Sequence, residues 1–323
     1  MTKHTVTGKR GKLVEKFLPP KLVTDEEYLR IMRSLNKRQR QIVLEILYLV
    51  KTAEEAFHIF LSGGAGVGKS HVITAIVQSI LRHTNPHLHI STDNTSVVVG
   101  APTGKAAFNV FGMTLHALFA LPPSQMHKDV PLRPMPESKA NTLRLRFRDT
   151  DLFIIDEISM CGAKTLTYID LRLRQLFDST RPFGGKSLLV VGHLRQLPPV
   201  GDKLVFECPK LPGPESARMS LVERNPLWSL FKYFELTEVM RQRDALEFCT
   251  ALNNMSEGLM TQADIQLMKG REVSRAEAPT DAVWLFWTNL ECEAYNRSFH
   301  ATLGTQFVVS EAVDVISGNL RHF

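Results

Sequence analysis

Eight consecutive residues, Gly63-Gly64-Ala65-Gly66-Val67-Gly68-Lys69-Ser70, fit the spacing G-x-x-x-x-G-K-[ST] at every fixed position. Such a run suits one chemistry, the holding of a polyphosphate. Glycines let consecutive N–H groups turn inward around a phosphate with no side chain in the way. A helix that starts at the lysine adds unpaired N–H groups and the positive end of its dipole. Lys69 can then reach the terminal phosphates, and the Ser70 hydroxyl can join a Mg²⁺ shell. The expected ligands are ATP and Mg²⁺.

A second anchor is Leu152-Phe153-Ile154-Ile155-Asp156-Glu157. Four apolar residues ending in two acids place the carboxylates at the carboxyl end of a buried strand, the edge where open α/β sheets bind ligands. Asp156 can hold Mg²⁺ through its waters, and Glu157 can orient or deprotonate an attacking water. Gln196 follows the apolar run Ser187 to Val191 at the same edge, where an amide can sense a terminal phosphate. Gln39 opens a helix ahead of the phosphate loop, from which its amide can read an adenine edge. Ala101-Pro102-Thr103-Gly104-Lys105-Ala106-Ala107 follows Val97-Val98-Val99. It presents hydroxyl, ammonium and N–H groups suited to a phosphate backbone, or it is an ordinary strand-to-helix turn.

These groups need elements to position them. Phe57 to Leu61 reads as a strand entering the glycine loop; Val72, Ile73, Ile76, Val77, Ile80 and Leu81 recur at helical spacing after it. Val97 to Val99, Leu152 to Ile155 and Ser187 to Val191 read as buried parallel strands, and Leu166 to Phe177 as an amphipathic helix. Leu227 to Phe234 reads as a short aromatic helix, and the chain reads as helical from Ala245 to Leu267. Val283 to Trp287 reads as a strand leading through Thr288-Asn289 into a helix that ends near Leu303. Five prolines between Leu121 and Ser138 mark an irregular excursion at about residues 119–150. Within it Arg144, Arg146 and Arg148 alternate with Leu145 and Phe147, as a basic strand face or as solvated arginines. Strands alternating with helices around a phosphate loop predict an α/β fold, a mostly parallel sheet with helices on both faces.

With 323 residues, 44% of them hydrophobic and 22% charged, the chain has room for two ordinary domains. No stretch is apolar and long enough to span a bilayer, so no membrane association is expected. The first residues lack the apolar segment of a signal peptide, and a secreted protein is not expected. Four widely separated cysteines show neither metal spacing nor a disulfide framework. The net charge is +6, yet residues 1–40 hold eleven Lys/Arg against four Asp/Glu, a local +7. That bias fits a solvated basic arm at residues 1–24 or contact with a phosphate backbone.

Taken in order, Gly-Gly-Ala-Gly-Val-Gly-Lys-Ser, Ala-Pro-Thr-Gly-Lys-Ala-Ala, Ile-Asp-Glu-Ile-Ser-Met, Arg-Gln-Leu-Pro-Pro-Val and Leu-Thr-Glu-Val-Met-Arg-Gln resemble the petite integration frequency (Pif) family of superfamily-one 5′-to-3′ DNA helicases. The resemblance runs from about Leu35 to Gly318. Ala312-Val313-Asp314-Val315 and Gly318-Asn319 resemble the branch carried by rolling-circle transposons. The likeness implies a RecA-like P-loop motor domain at residues 25–234, after the arm at 1–24, and an incomplete second RecA-like domain at 235–323. It implies that Gln39 reads adenine, that Lys69 and Ser70 serve phosphate and Mg²⁺, and that Asp156 holds the metal. Glu157 is then the base, Gln196 the γ-phosphate sensor, and Arg241 an arginine that reaches across from the second domain. Thr103, Gly104, Lys105 and His116 fall in segments that line the path of single-stranded DNA in the family. Single-stranded or forked DNA is the implied partner, with no obligate protein partner. DNA repair, recombination or telomere maintenance is the implied setting, in the nucleus or else the mitochondrion.

The chain departs from the family pattern twice. Where the family has Gly-Asp-Phe, this sequence has Gly192-His193-Leu194. The family's later motifs, an Asn-Gly stretch, a Lys-Ser-Gln-Gly-type stretch and a final arginine motif, do not follow the Thr288-Asn289 segment. Two functions are therefore expected of such a sequence: an ATP-dependent DNA helicase represented without its last motifs, or a nucleotide- and DNA-binding module without unwinding activity.

Overall fold

The computed structural model describes residues 20–64, 66–84, 95–122, 132–210, 224–240, 246–274, 276–279 and 281–304. The chain divides into two compact units, Met1–Ile265 and Gln266–Phe323. The basic arm at 1–19 lies outside the described residues.

The first unit is built on a six-stranded parallel sheet: β1 (His58–Gly63), β2 (Val97–Ala101), β3 (Met113–Thr114), β4 (Leu152–Ile155), β5 (Ser187–Gly192) and β6 (Lys232–Leu236). The strand order is β3-β2-β4-β5-β1-β6. Alternate residues of each strand supply opposite faces. Phe60, Val98, Phe153, Ile155, Leu188 and Val190 enter one core with the helices α5 (Leu115–Leu118), α6 (Glu137–Phe147) and α7 (Ala163–Phe177). Ile59, Leu61, Val97, Val99, Ile154, Leu189 and Val191 enter the other with α2 (Lys37–Thr52) and α3 (Lys69–Thr84). A sheet buried on both faces explains why its strands read as unbroken apolar runs. Two short helices complete this part of the unit: α1 (Asp25–Ser34), capped by Thr24, and α4 (Gly104–Asn109), capped by Thr103.

The expected strands at 57–61, 97–99, 152–155 and 187–191 and the helices after Lys69 and from Leu166 are all present. Four expectations are corrected. Thr142 to Phe147 is not a strand but the last part of α6, with Arg148 as its C-cap; Arg144 and Arg148 are exposed, as the solvated-arginine alternative expects. Ala140, Leu143 and Phe147 recur at i, i+3 and i+7 and are buried, so helical burial outweighs the alternation of arginines. Arg144 turns back onto α7, donating from Nε to the Leu176 carbonyl at 2.7 Å. The described part of the proline-rich excursion is thus part of the core; residues 123–131 lie outside the described residues. Second, Leu227 to Phe234 is only one 3₁₀ turn, Trp228–Leu230, before the edge strand β6. Apolar Phe234 and Leu236 alternate with polar neighbours, and β1 offers a free edge for them to pair with.

Third, Ala245 to Leu267 is two helices, α8 (Leu246–Glu257) and α9 (Gln262–Lys269). Gly258 ends α8 at φ +72, the left-handed conformation that closes a helix. The Asp264 carboxylate then receives the Thr261 N–H and the Asn254 amide, both at 2.8 Å. Fourth, Val283 to Trp287 forms no strand. Val283, Leu285 and Trp287 are 89, 92 and 98% exposed, while Trp284 and Phe286 lie 5.5 and 5.2 Å from Tyr295 of α10 (Asn289–Thr302). The segment has the alternation of a strand, but among the described residues no neighbour pairs with it, and a lone strand has no ladder to join.

Asp170 shows how tightly the first unit is tied. Buried on α7, it accepts the Phe183 N–H at 2.6 Å and an ion pair from Arg174 at 2.8 Å. Phe183 itself sits at φ +51 in the turn before β5. Asp170→Ala is expected to destabilise the protein by about 3 kcal/mol, because a buried N–H loses its acceptor and a strained turn loses its tether. Urea denaturation checks this against unchanged nucleotide affinity.

Candidate functional site

The carboxyl ends of β1, β4 and β5 lie side by side, since β5 separates β1 from β4. Each end delivers one part of the site. From β1 the chain enters the glycine loop, and Ala65 alone of that loop lies outside the described residues. Gly63 is required by contact: a Cβ there would lie 2.6 Å from Val67 Cγ2 and 3.1 Å from the Leu236 carbonyl. Gly66 and Gly68 have φ of +77 and +83. At Gly68 a Cβ would also lie 2.6 Å from Gln39 Nε2. Val67 is buried under the loop, Gly64 is half-buried and Ser70 is exposed at the start of α3.

Lys69 Nζ donates to the Gly63 and Gly64 carbonyls at 2.8 and 3.0 Å. Burial lowers its pKa, while Glu157 and Asp156 pull it back up. From β4 come those two acids. Asp156 is 5% exposed and accepts the Glu157 N–H at 2.9 Å. Burial raises its carboxyl to about 6, against the pull of that hydrogen bond, with the Glu157 charge adding to the rise. Glu157 has φ +52, an uncommon conformation for a residue with a side chain; it turns the backbone sharply out of the strand into the 3₁₀ turn Ile158–Met160.

From β5 come His193 and Gln196. His193 is half-buried, and burial together with the nearby charges of Lys69 and Arg195 lowers its pKa, so the imidazole is neutral at pH 7. Gln196 is exposed on a turn closed by its N–H on the His193 carbonyl, 2.9 Å. The structure therefore brings Lys69, Asp156, Glu157 and His193 within electrostatic reach of one another, with Gln196 on the adjoining loop. Arg241 lies outside the described residues. Its neighbour Met240 donates its N–H to the Gly66 carbonyl at 2.9 Å, so the chain leaving β6 meets the phosphate loop.

Gln39 occupies a different place from a surface reader of bases. It is 1% exposed. Its Oε1 accepts the Asn36 N–H and its Nε2 donates to the Val67 carbonyl, both at 2.9 Å. Asn36 and Gln39 form a reciprocal capping box at the start of α2, a pattern legible in the sequence as Asn-x-x-Gln before an apolar run. What the spacing does not reveal is that the amide also braces the glycine loop. Sequence reasoning also missed Glu235 of β6, whose charge acts on His193; an exposed acid on an edge strand carries no signal of its own.

Thr103, Gly104, Lys105 and His116 lie beyond the carboxyl end of β2. Thr103 Oγ1 accepts the Ala106 N–H at 3.2 Å, and Gly104 and Lys105 are exposed. His116 is half-buried on α5, and burial lowers its pKa. Thr103 and His116, together with Pro199, Val200, Gly201 and Asp202 just past Gln196, line an open groove of about 320 Å³. The groove thus links the segment suited to a phosphate backbone with the loop suited to a terminal phosphate.

A family model described as PIF1-like helicase matches residues 34–265. The ATP-dependent DNA helicase PIF1 of Emericella nidulans is 31% identical over 281 residues, covering 84% of this chain and 34% of that protein. The protein of the same name from Candida albicans is 28% identical and covers 86% of this chain and 30% of its own. The crystal structure of Bacteroides Pif1 bound to ssDNA matches at a TM-score of 0.58 and 27% identity, over 84% of this chain and 57% of that one. The chain spans about a third of the length of these curated relatives. The residues that carried the transposon-branch likeness, 312–315 and 318–319, lie outside the described residues.

Two substitutions probe the site. Lys69→Ala removes the side-chain ammonium that reaches the loop carbonyls; it is expected to weaken ATP·Mg²⁺ binding or turnover by about 100-fold, checked by nucleotide titration beside the wild type. His193→Asp places a carboxylate next to Lys69 and is expected to raise ATP turnover. Steady-state hydrolysis measured over a Mg²⁺ series decides it, and unchanged or lower turnover means the imidazole is no impairment.

Proposed function

Because the chain belongs to the PIF1-like helicase family, we propose that it supplies the nucleotide- and single-strand-binding portion of an ATP-dependent DNA helicase. The observation that carries this reading is the convergence of Lys69, Asp156 and Glu157 at neighbouring strand ends beside a groove walled by Thr103 and His116. In this reading the loop N–H groups and Lys69 hold the β- and γ-phosphates. Lys69 exchanges its two loop carbonyls for phosphate oxygens, a swap between hydrogen bonds of similar length.

Mg²⁺ fits the residues present. Asp156 is a buried carboxylate pushed up by burial, the condition a divalent cation relieves. Among the described residues no cluster of three or more His, Cys, Asp or Glu side chains forms a protein cage, and Mg²⁺ prefers one or two protein ligands with water and phosphate completing the shell. Ser70 and Asp156 are those ligands. Glu157 orients the attacking water, Gln196 senses the γ-phosphate, and Arg241 steadies charge on the transferring group. The adenine-reading role proposed for Gln39 requires its buried amide to move from the Val67 carbonyl toward the base.

Lys105 and the Thr103 segment contact the phosphate backbone of a single strand; similar Pif1 structures concern ssDNA and forked dsDNA. In this reading the first RecA-like domain spans 25–234 and the second 235–323, with 5′-to-3′ movement as the family resemblance implies. The setting is DNA repair, recombination or telomere maintenance in the nucleus, or in the mitochondrion.

One observation favours the second reading, a nucleotide- and DNA-binding module that does not unwind. Within Gln266–Phe323, Val283, Leu285 and Trp287 are almost fully exposed, so the described residues of this segment offer no packed sheet to grip a strand. The two readings separate on one pair of assays. With the chain of residues 1–323, nucleotide binding and DNA-stimulated ATP hydrolysis are expected, with weak turnover and no separation of a 5′-tailed duplex. Robust unwinding excludes the module reading; loss of both binding and stimulation excludes both.

A further inference from the structure

The loop from Gly192 to Asp202 carries Gln196 and one wall of the groove, and it is fastened at both ends to the segment that carries the two acids. At its start, Gly192 lies so close to the 3₁₀ turn after Glu157 that a Cβ would be 2.9 Å from the Ile158 nitrogen. At its end, Asp202 serves as the cap of α7. Gly162 stands at the N-cap position and has no side chain to offer. In its place Asp202 accepts the Lys164 N–H at 3.3 Å, the Thr165 N–H at 3.2 Å and the Thr165 hydroxyl at 3.4 Å. It also accepts the Lys203 N–H at 2.8 Å, and the Lys203 carbonyl receives the Ala163 N–H at 3.0 Å. A Cβ on Gly162 would lie 2.0 Å from Asp202 Oδ2, so the glycine is what admits the carboxylate. A charge at the first turn of a 15-residue helix is also favoured by the helix dipole.

Between these fastenings Pro199, Val200 and Gly201 line the groove together with Thr103 and His116. A loop held at both ends cannot drift as a body when its groove wall is displaced; it can respond only through the residues between the fastenings, which include His193 and Gln196. We propose that Asp202 is a positioning residue that couples occupancy of the groove by a single strand to the placement of Gln196 in the nucleotide site. The proposal rests on the functional reading above. Asp202 itself lines the groove, but its carboxylate oxygens are engaged by the N–H groups of Lys164, Thr165 and Lys203; it acts by fixing the far end of the loop to the helix that follows the acids.

The test uses the 323-residue chain and its Asp202→Ala and Asp202→Asn variants. Hydrogen exchange on the free proteins asks whether Asp202 holds the loop. In Asp202→Ala the amides of residues 193–201 and of Lys164 and Thr165 are expected to exchange about 10-fold faster, with β1 and α3 unchanged. Unaltered exchange over 193–201 overturns the clamp. Hydrolysis of ATP with and without an oligo-dT single strand asks whether the clamp couples the sites. The ratio of stimulated to basal turnover is expected to fall about 10-fold in Asp202→Ala, with basal kcat and KM for ATP within about twofold of wild type. Asp202→Asn, which keeps an acceptor oxygen, is expected to restore most of the ratio. Basal and stimulated turnover falling by one common factor overturns the coupling role. If the wild type shows no stimulation by oligo-dT, the functional reading fails and the coupling role with it, while the exchange result still decides the clamp.

Discussion

A parallel sheet covered on both faces has one place to present polar groups, and in this protein everything chemical depends on that constraint. Ile59 and Leu61 of β1 point into one core and Phe60 into the other, so neither face of the strand can carry a ligand. The strand ends remain. Because β5 sits between β1 and β4, the glycine loop, the acids and the His193–Gln196 loop emerge as neighbours although more than 120 residues separate the first from the last in the chain. The site is a consequence of strand order before it is a consequence of any single contact.

Close backbone approach does the remaining positioning. Gly63 lets the loop pass under Val67 and against Leu236, Gly68 makes room for the Gln39 amide, and Gly192 and Gly162 let the Gln196 loop lie against Ile158 and Asp202. At each of these places the missing side chain is occupied by a group from a distant part of the sequence. Most of them are thus contact glycines; Gly68 is in addition at positive φ. Within the site, backbone strain sits where the acids turn out of β4, at Glu157.

Charge is distributed by the same geometry. Lys69 is held among carbonyl oxygens and two acids, Asp156 is buried against a backbone N–H, and His193 is kept neutral by burial and by the cations beside it. A carboxylate at 193 would add a third negative group near Lys69; the imidazole leaves the balance of the cleft closer to neutral. That difference acts in a partly desolvated cleft, where a unit charge counts for more than at the surface.

The sequence by itself determined the phosphate loop, the acid-ended strand and the parallel α/β class, because each is written in contiguous residues: a fixed glycine spacing, and apolar runs whose length admits only a buried strand. It also contained the family, through five short motifs in order. Only the tertiary structure decided which residues those motifs meet. Leu227 to Phe234 looked helical because aromatic residues clustered there, yet a free edge on β1 made its second half a strand. Thr142 to Arg148 alternated like a strand, yet the faces of α7 and β4 drew Leu143 and Phe147 to one side of a helix. Val283 to Trp287 alternated too, but without a partner strand alternation alone builds no sheet. Gln39 read as an amide for an adenine edge, and in the structure it is buried and braces the glycine loop; Asp202 drew no attention because its partners lie 37 and 38 residues away. Local pattern specifies what a segment can become; the hydrogen-bonding and apolar surfaces that other segments offer decide what it is.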